Sequence, residues 1–194
     1  MTSNDQSPVR GQLRRADKIM SEAQAQEFLH TAFCGRTASV DADGHPYVVP
    51  NLFVWHEGAV WLHTVRGDGH FARNVRHDDR VCFEVDEPGE VFPYGDLECD
   101  TSIAYRSVVL FGRIALVRDA DRARTFFAMF MRKYAPADSW GRERGSFPRI
   151  DATNVYAITP TSMTGKVGVL PAVEARWPAV NHSLSPQWPR APRK

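Results

Sequence analysis

The sequence predicts a mainly β protein, a barrel with a few flanking helices, and three observations lead there. Apolar and polar residues alternate with a period of two over Arg36–Asp41, Tyr47–Trp55, Val60–Val65, Arg80–Val85, Tyr105–Val117 and Asn154–Thr159, the pattern of half-buried strands. Turn signals separate several of these runs: Asp43-Gly44 is a hairpin dipeptide, and Glu57-Gly58 reverses the chain again. The longest run carries Gly112 at its middle, which suggests a bulge or a barrel corner. Long bent strands joined by hairpins favour closure over an open sheet.

Length and composition bound the rest. A chain of 194 residues fits one domain with enough core to fold without staples. Hydrophobic residues make up 43% and charged residues 24%, the balance of a soluble globule, and a net charge of +1 gives no case for bulk nucleic-acid binding. No apolar stretch reaches the length of a membrane span, and the polar start MTSNDQSPVRGQLRR lacks the apolar run of a signal peptide. Cys34, Cys82 and Cys99 are too few and too scattered for a disulfide framework or a CxxC zinc site, so a reducing cytoplasm is expected. The expected organisation is a disordered arm over 1–13, a globular body over 14–170, and a proline-rich extension over 171–194 with Trp177, Trp188 and a basic end.

Along the chain, Ser21 starts a helix whose stripe is Phe28, Leu29 and Ala32, and Gly35 is placed to end it. Pro50 sits inside the Tyr47–Trp55 run. Proline cannot donate to a ladder, so it marks an edge or a bulge; Pro50-Asn51 equally suits a place where backbone faces a planar ligand. The stretch 86–101, rich in Pro, Gly and acids, is expected to be a long loop. Asp119–Tyr134 is the clearest helix, with Ala123, Phe126, Phe127, Phe130 and Tyr134 on its core face and charges that suit its dipole. Thr164-Gly165-Lys166 is expected in a loop after the last strand.

The chemistry concentrates in Val60–Val85, read as strand, glycine turn, short helix and strand. Asp68 is expected to cap the helix, Phe71 and Val75 to give it an apolar line, and His70, Arg73, Asn74 and His77 to lie on its other side. A helix start offers unpaired N–H groups to an anion. With Thr64, Arg66 and His70 beside it, a phosphate would meet four kinds of donor; an ordinary strand–turn–helix link fits the same residues. His63, on the opposite strand face from Thr64, is either a group that donates a proton or orients substrate, or a packed histidine. His56, His63, His70 and His77 recur every seven residues, but across a turn, a strand and a helix that period has no common geometry, so no metal site is expected.

The order HPYVVPN, WLHT, GH, NVRHDDRVCFEVDE, YRSVVLFGRIALV and TGK resembles the FMN-binding split barrels of the pyridoxamine 5'-phosphate oxidase type, and among them the nitroimidazole-resistance (Nim-type) proteins. The resemblance implies a six-stranded Greek-key split β-barrel, a homodimer, and FMN held in clefts between subunits. It implies flavin contacts from Val49, Pro50 and Asn51, from His63, Thr64, Val65 and Arg66, and from His70 and Asn74, with His63 on the substrate side as the candidate catalytic residue. His70 stands where many members of the superfamily have lysine. The implied activity is an FMN-dependent oxidoreductase passing electrons from reduced nicotinamide to a small electrophile such as a nitroaromatic. The alternative is a haem- or flavin-binding carrier with little turnover, since related barrels bind haem or deazaflavin.

Overall fold

A computed structural model describes residues 14–97, 99–135, 147 and 149–181. The expected arm over 1–13, Trp188 and the basic end lie outside the described residues. Three helices, α1 (Glu22–Thr31), α2 (His70–His77) and α3 (Ala120–Tyr134), flank an antiparallel sheet of β1 (Gly35–Val40), β2 (Pro46–Asn51), β3 (Phe53–His56), β4 (Ala59–Val65), β5 (Arg80–Pro93), β6 (Thr101–Leu116), β7 (Thr153–Gly168) and the short β8 (Trp177–Pro178). The strand order is β2-β1-β5-β6-β7-β4-β3, with β8 paired to β5.

That order explains the closure. β2 and β3 are separated by Leu52 alone, yet they stand at opposite ends of the sheet. The sheet therefore curls until its two edges meet at Leu52, and the expected Tyr47–Trp55 strand becomes two halves serving two neighbours. With β2 and β3 counted as one bent strand, and two-residue β8 set aside, the six strands of the expected barrel are present. Phe53, Val60, Leu62, Phe83, Val85, Val108, Leu110 and Ile158 fill its interior.

The local signals work where they are local. Ser21 caps α1 in a full capping box: its hydroxyl accepts from Gln24 N, and the Gln24 side chain accepts from Ser21 N. Asp119 caps α3 through Asp121 N and Arg122 N. The β6–β7 register shifts between Phe111 and Gly112, and a Cβ on Gly112 would lie 2.4 Å from Thr159 O. The bulge thus needs a glycine for close backbone approach.

Four expectations are corrected. Gly35 does not end α1, which closes at Thr31; it opens β1, where a Cβ would strike the Phe83 ring at 2.2 Å. Residues 86–93 and 101–104 are strand, because β5 and β6 extend together into a long arm and only 94–100 link them. Thr164-Gly165-Lys166 lies within β7, paired with Val109, Val108 and Ser107. Asp68 does not cap α2; Gly69 holds that position with no side-chain bond, and Asp68 pairs instead with Arg73 and Arg76.

Candidate functional site

The two faces of β4 set the site. Val60 and Leu62 point into the barrel, where Phe71 and Val75 of α2 close its end; Ala59 and Trp61 point outward, onto Ala123 and Phe126 of α3. Thr64 continues the inner face and His63 the outer one, as period two requires.

On the inner side, the Thr64 hydroxyl is buried and has no hydrogen-bond partner among the described residues. An unmet buried hydroxyl costs about 1–3 kcal/mol, so its persistence points to a ligand atom. The chain then leaves β4 through Val65, which is exposed, and Arg66, whose N–H bonds Ala152 O at 2.8 Å. The Arg66 guanidinium has no ion pair among the described residues, unlike Arg73 and Arg76. Six residues after Thr64, α2 begins without a side-chain cap, and a Cβ on its N-cap Gly69 would meet nothing within 4 Å. Exposed His70 opens the helix, stacked on Tyr47 at 4.4 Å.

Asn74 does not share that surface. It is 3% exposed and its amide donates to Ser39 Oγ at 3.2 Å, so it faces inward and ties α2 to β1. Asn51 is likewise turned in, accepting from Thr37 Oγ1 at 2.7 Å, whereas Pro50 is exposed and Val49 half-buried against the core.

On the outer side, His63 sits among phenyl rings of α3: Phe130 at 4.9 Å, Phe127 at 5.4 Å and Phe126 at 5.9 Å between centroids. Its Nδ1 is buried with no partner among the described residues, and burial pushes its pKa below the usual histidine value. The imidazole is therefore neutral at pH 7. Sequence reasoning assigned these phenylalanines to a generic core face; their i, i+4 spacing was visible, but which strand they would meet was not. Lys133 was missed as well. Its ammonium lies 3.9 Å from the Phe53 ring centroid, without a hydrogen-bond partner among the described residues, and burial lowers its pKa to about 8.

The seven-residue histidine series does not assemble. His56 lies against Glu57, His63 under α3 and His70 on Tyr47. The one potential ligand trio among the described residues is Asp41, Asp43 and His45. Asp41 Oδ1 already accepts from the N–H groups of Asp43 and His45, which makes the trio a hairpin turn.

The family pattern of pyridoxamine 5'-phosphate oxidase matches residues 21–167. The chain belongs to that family. Among solved structures, the flavocytochrome Anf3 from Azotobacter vinelandii is 19% identical with a TM-score of 0.72, covering 94% of this chain and 88% of that one. The FAD and heme binding protein from Mycobacterium smegmatis is 18% identical with a TM-score of 0.69, covering 90% and 94%. A protein from Bacteroides thetaiotaomicron, assigned to 5-nitroimidazole antibiotic resistance, is 22% identical with a TM-score of 0.64, covering 77% and 86%. At these identities the likeness is one of fold. No curated protein matches the chain. No described helix is long and apolar enough to cross a membrane.

The family is one of flavin-binding split barrels, and the residues of this chain fit a flavin phosphate. A hydroxyl, a guanidinium and a helix start, each without a side-chain partner among the described residues, occur within one short stretch.

Proposed function

We propose that this chain binds FMN at the end of β4 and acts as a Nim-like flavoprotein oxidoreductase, reducing a small electrophile such as a nitroaromatic with electrons from reduced nicotinamide. The observation that carries the reading is the buried, unpartnered Thr64 hydroxyl next to the uncapped start of α2. Thr64, Arg66, the first-turn N–H groups of α2 and His70 hold the phosphate. Val49, Pro50 and Val65 line the ring, and Asn51 contributes its backbone, its side chain being turned in onto Thr37. Asn74 contributes by fixing α2 against β1. FMN would supply hydride acceptance and release; the protein's own work is to hold it, orient the substrate and exclude water. His63, neutral in its aromatic surroundings, orients substrate through an N–H and does not serve as a charged acid. Exposed Phe33, Val48, Leu52 and Val65 support a second copy covering the cleft in a homodimer.

The test is a spectrum of the purified protein and identification of the released cofactor, followed by oxidation of reduced nicotinamide with and without a nitroaromatic. A flavin spectrum with acceptor-dependent turnover is expected. Turnover without acceptor dependence, or none, leaves the second reading, a haem- or flavin-binding carrier. The names of the Azotobacter and Mycobacterium neighbours, which cover more of this chain than the Bacteroides protein does, favour that second reading. His63→Ala at full flavin loading should lower kcat by about tenfold, the share of one orienting hydrogen bond; a loss below about threefold makes His63 a packing residue. Sedimentation should show a dimer, and a monomer that binds FMN tightly would overturn the interfacial cleft.

A further inference from the structure

Past Ile158, β7 loses its neighbour. β4 pairs with β7 from Val65–Thr153 to Val60–Ile158, and then turns away at Glu57-Gly58. On that side the edge of β7 is next occupied at Gly165, whose carbonyl accepts from Met20 N at 3.0 Å, and at Lys166, bridged to Ile19. Between these points, Thr159 to Thr164 present a strand edge with no backbone partner on that side among the described residues. Pro160, which has no N–H to offer a ladder, sits within it, as an edge proline should. A cleft of about 620 Å³, open to solvent, lies over this edge, lined by Trp55, Gly58, Met20 and the first turn of α1.

We infer that this cavity is a second small-molecule site, separate from the flavin cleft, taking an uncharged or cationic aromatic ligand with a hydrogen-bonding group on its rim. Its volume is that of a typical ligand pocket. The edge is closed at both ends, by β4 at Ile158 and by the Ile19–Met20 segment at Gly165, so a peptide strand cannot run through it. A compact molecule can use the free backbone groups and the hydroxyls of Thr159 and Ser162. The apolar walls are Trp55, Met20 and Met163, two of them pliable thioethers. Charge sets the class. Glu22 is the lone charged residue of the lining. The start of α1 would attract an anion, but the Ser21–Gln24 capping box engages the N–H groups of Ser21 and Gln24, and the Glu22 carboxylate stands in its first turn. An anion thus meets one carboxylate and no cation. The site lies at the other end of β4 from Thr64, six residues or about 20 Å along the strand at ~3.3 Å per residue.

The test uses three probes with one ring system, 1-naphthylmethylamine (cation), 1-naphthalenemethanol (neutral) and 1-naphthoate (anion), in equilibrium dialysis against the full chain with and without saturating FMN. The amine and the alcohol should bind once per chain, undisturbed by FMN, and the naphthoate about tenfold more weakly or worse. Glu22→Gln should lower the amine to the alcohol's affinity. Ser162→Trp and, on the opposite wall, Gln26→Trp should abolish binding while circular dichroism and thermal stability stay as in the parent. Failure of the amine and alcohol to saturate, competition with FMN, equal binding of the naphthoate, or a filled variant that keeps its fold and binds like the parent would each overturn the proposal. None of these outcomes depends on whether the protein turns over as a flavoenzyme.

Discussion

Thr64 and His63 are consecutive, and each buries a polar atom without a partner, yet their surroundings differ in kind. Thr64 is followed within six residues by a helix start without a side-chain cap and by an arginine without an ion pair among the described residues. His63 faces three phenyl rings that offer no hydrogen bond. The same local feature therefore has different surroundings on the two faces. Toward α2 it lies in a stretch of other open donors. Toward α3 it is enclosed by phenyl rings that keep the imidazole neutral and its ring fixed.

The largest expected effect lies on the α2 face. Arg66→Ala should weaken FMN about 10- to 100-fold, the share of one charge-assisted contact to phosphate, and leave riboflavin binding almost unchanged. Paired titrations with the two flavins measure this; equal losses for both would remove the phosphate from this face. Next comes the pin beneath it. Asn74→Ala should destabilise the fold by about 1–2 kcal/mol in denaturant unfolding, because the Ser39 hydroxyl stays buried without its partner. If stability is unchanged and FMN affinity falls, Asn74 is a ligand residue after all.

On the α3 side the expected effects concern pH. Lys133 has its folded pKa lowered to about 8 from 10.5 by burial. The unfolded chain then binds more protons between those values, so the penalty is fully present below pH 8 and fades as pH rises toward 10.5. Lys133→Met should stabilise the protein at pH 7 by about 1 kcal/mol, less than the full shift because the Phe53 ring face partly compensates the buried ammonium. The gain should shrink by pH 10. A gain constant with pH would assign it to packing instead of charge. The smallest effect belongs to His63. Its folded pKa is lowered by burial, so the unfolded state takes up the proton first as pH falls below the histidine range, and stability falls with it. His63→Leu should flatten the pH 5–7 limb of the stability curve; an unchanged limb would show that the imidazole is hydrated and not enclosed by the α3 rings.

The sequence by itself determined what depends on neighbours a few residues away. The Asp43-Gly44 hairpin, the helix start at Ser21 and the bulge at Gly112 are local steric and hydrogen-bonding choices, and they appear where the sequence puts them. Tertiary structure decided everything that needs a partner from elsewhere. Residues 86–93, with Pro88 and Gly89, read as loop until strand residues from 101–107 pair with them. Gly35 is required by the ring of Phe83, Asn74 is claimed by Ser39, and Thr164-Gly165-Lys166 are held in a strand by Ser107–Val109. The aromatic environment of His63 comes from a helix that starts more than fifty residues later. A residue's own identity states what it can bond or bury. Only the folded chain determines which distant group arrives first.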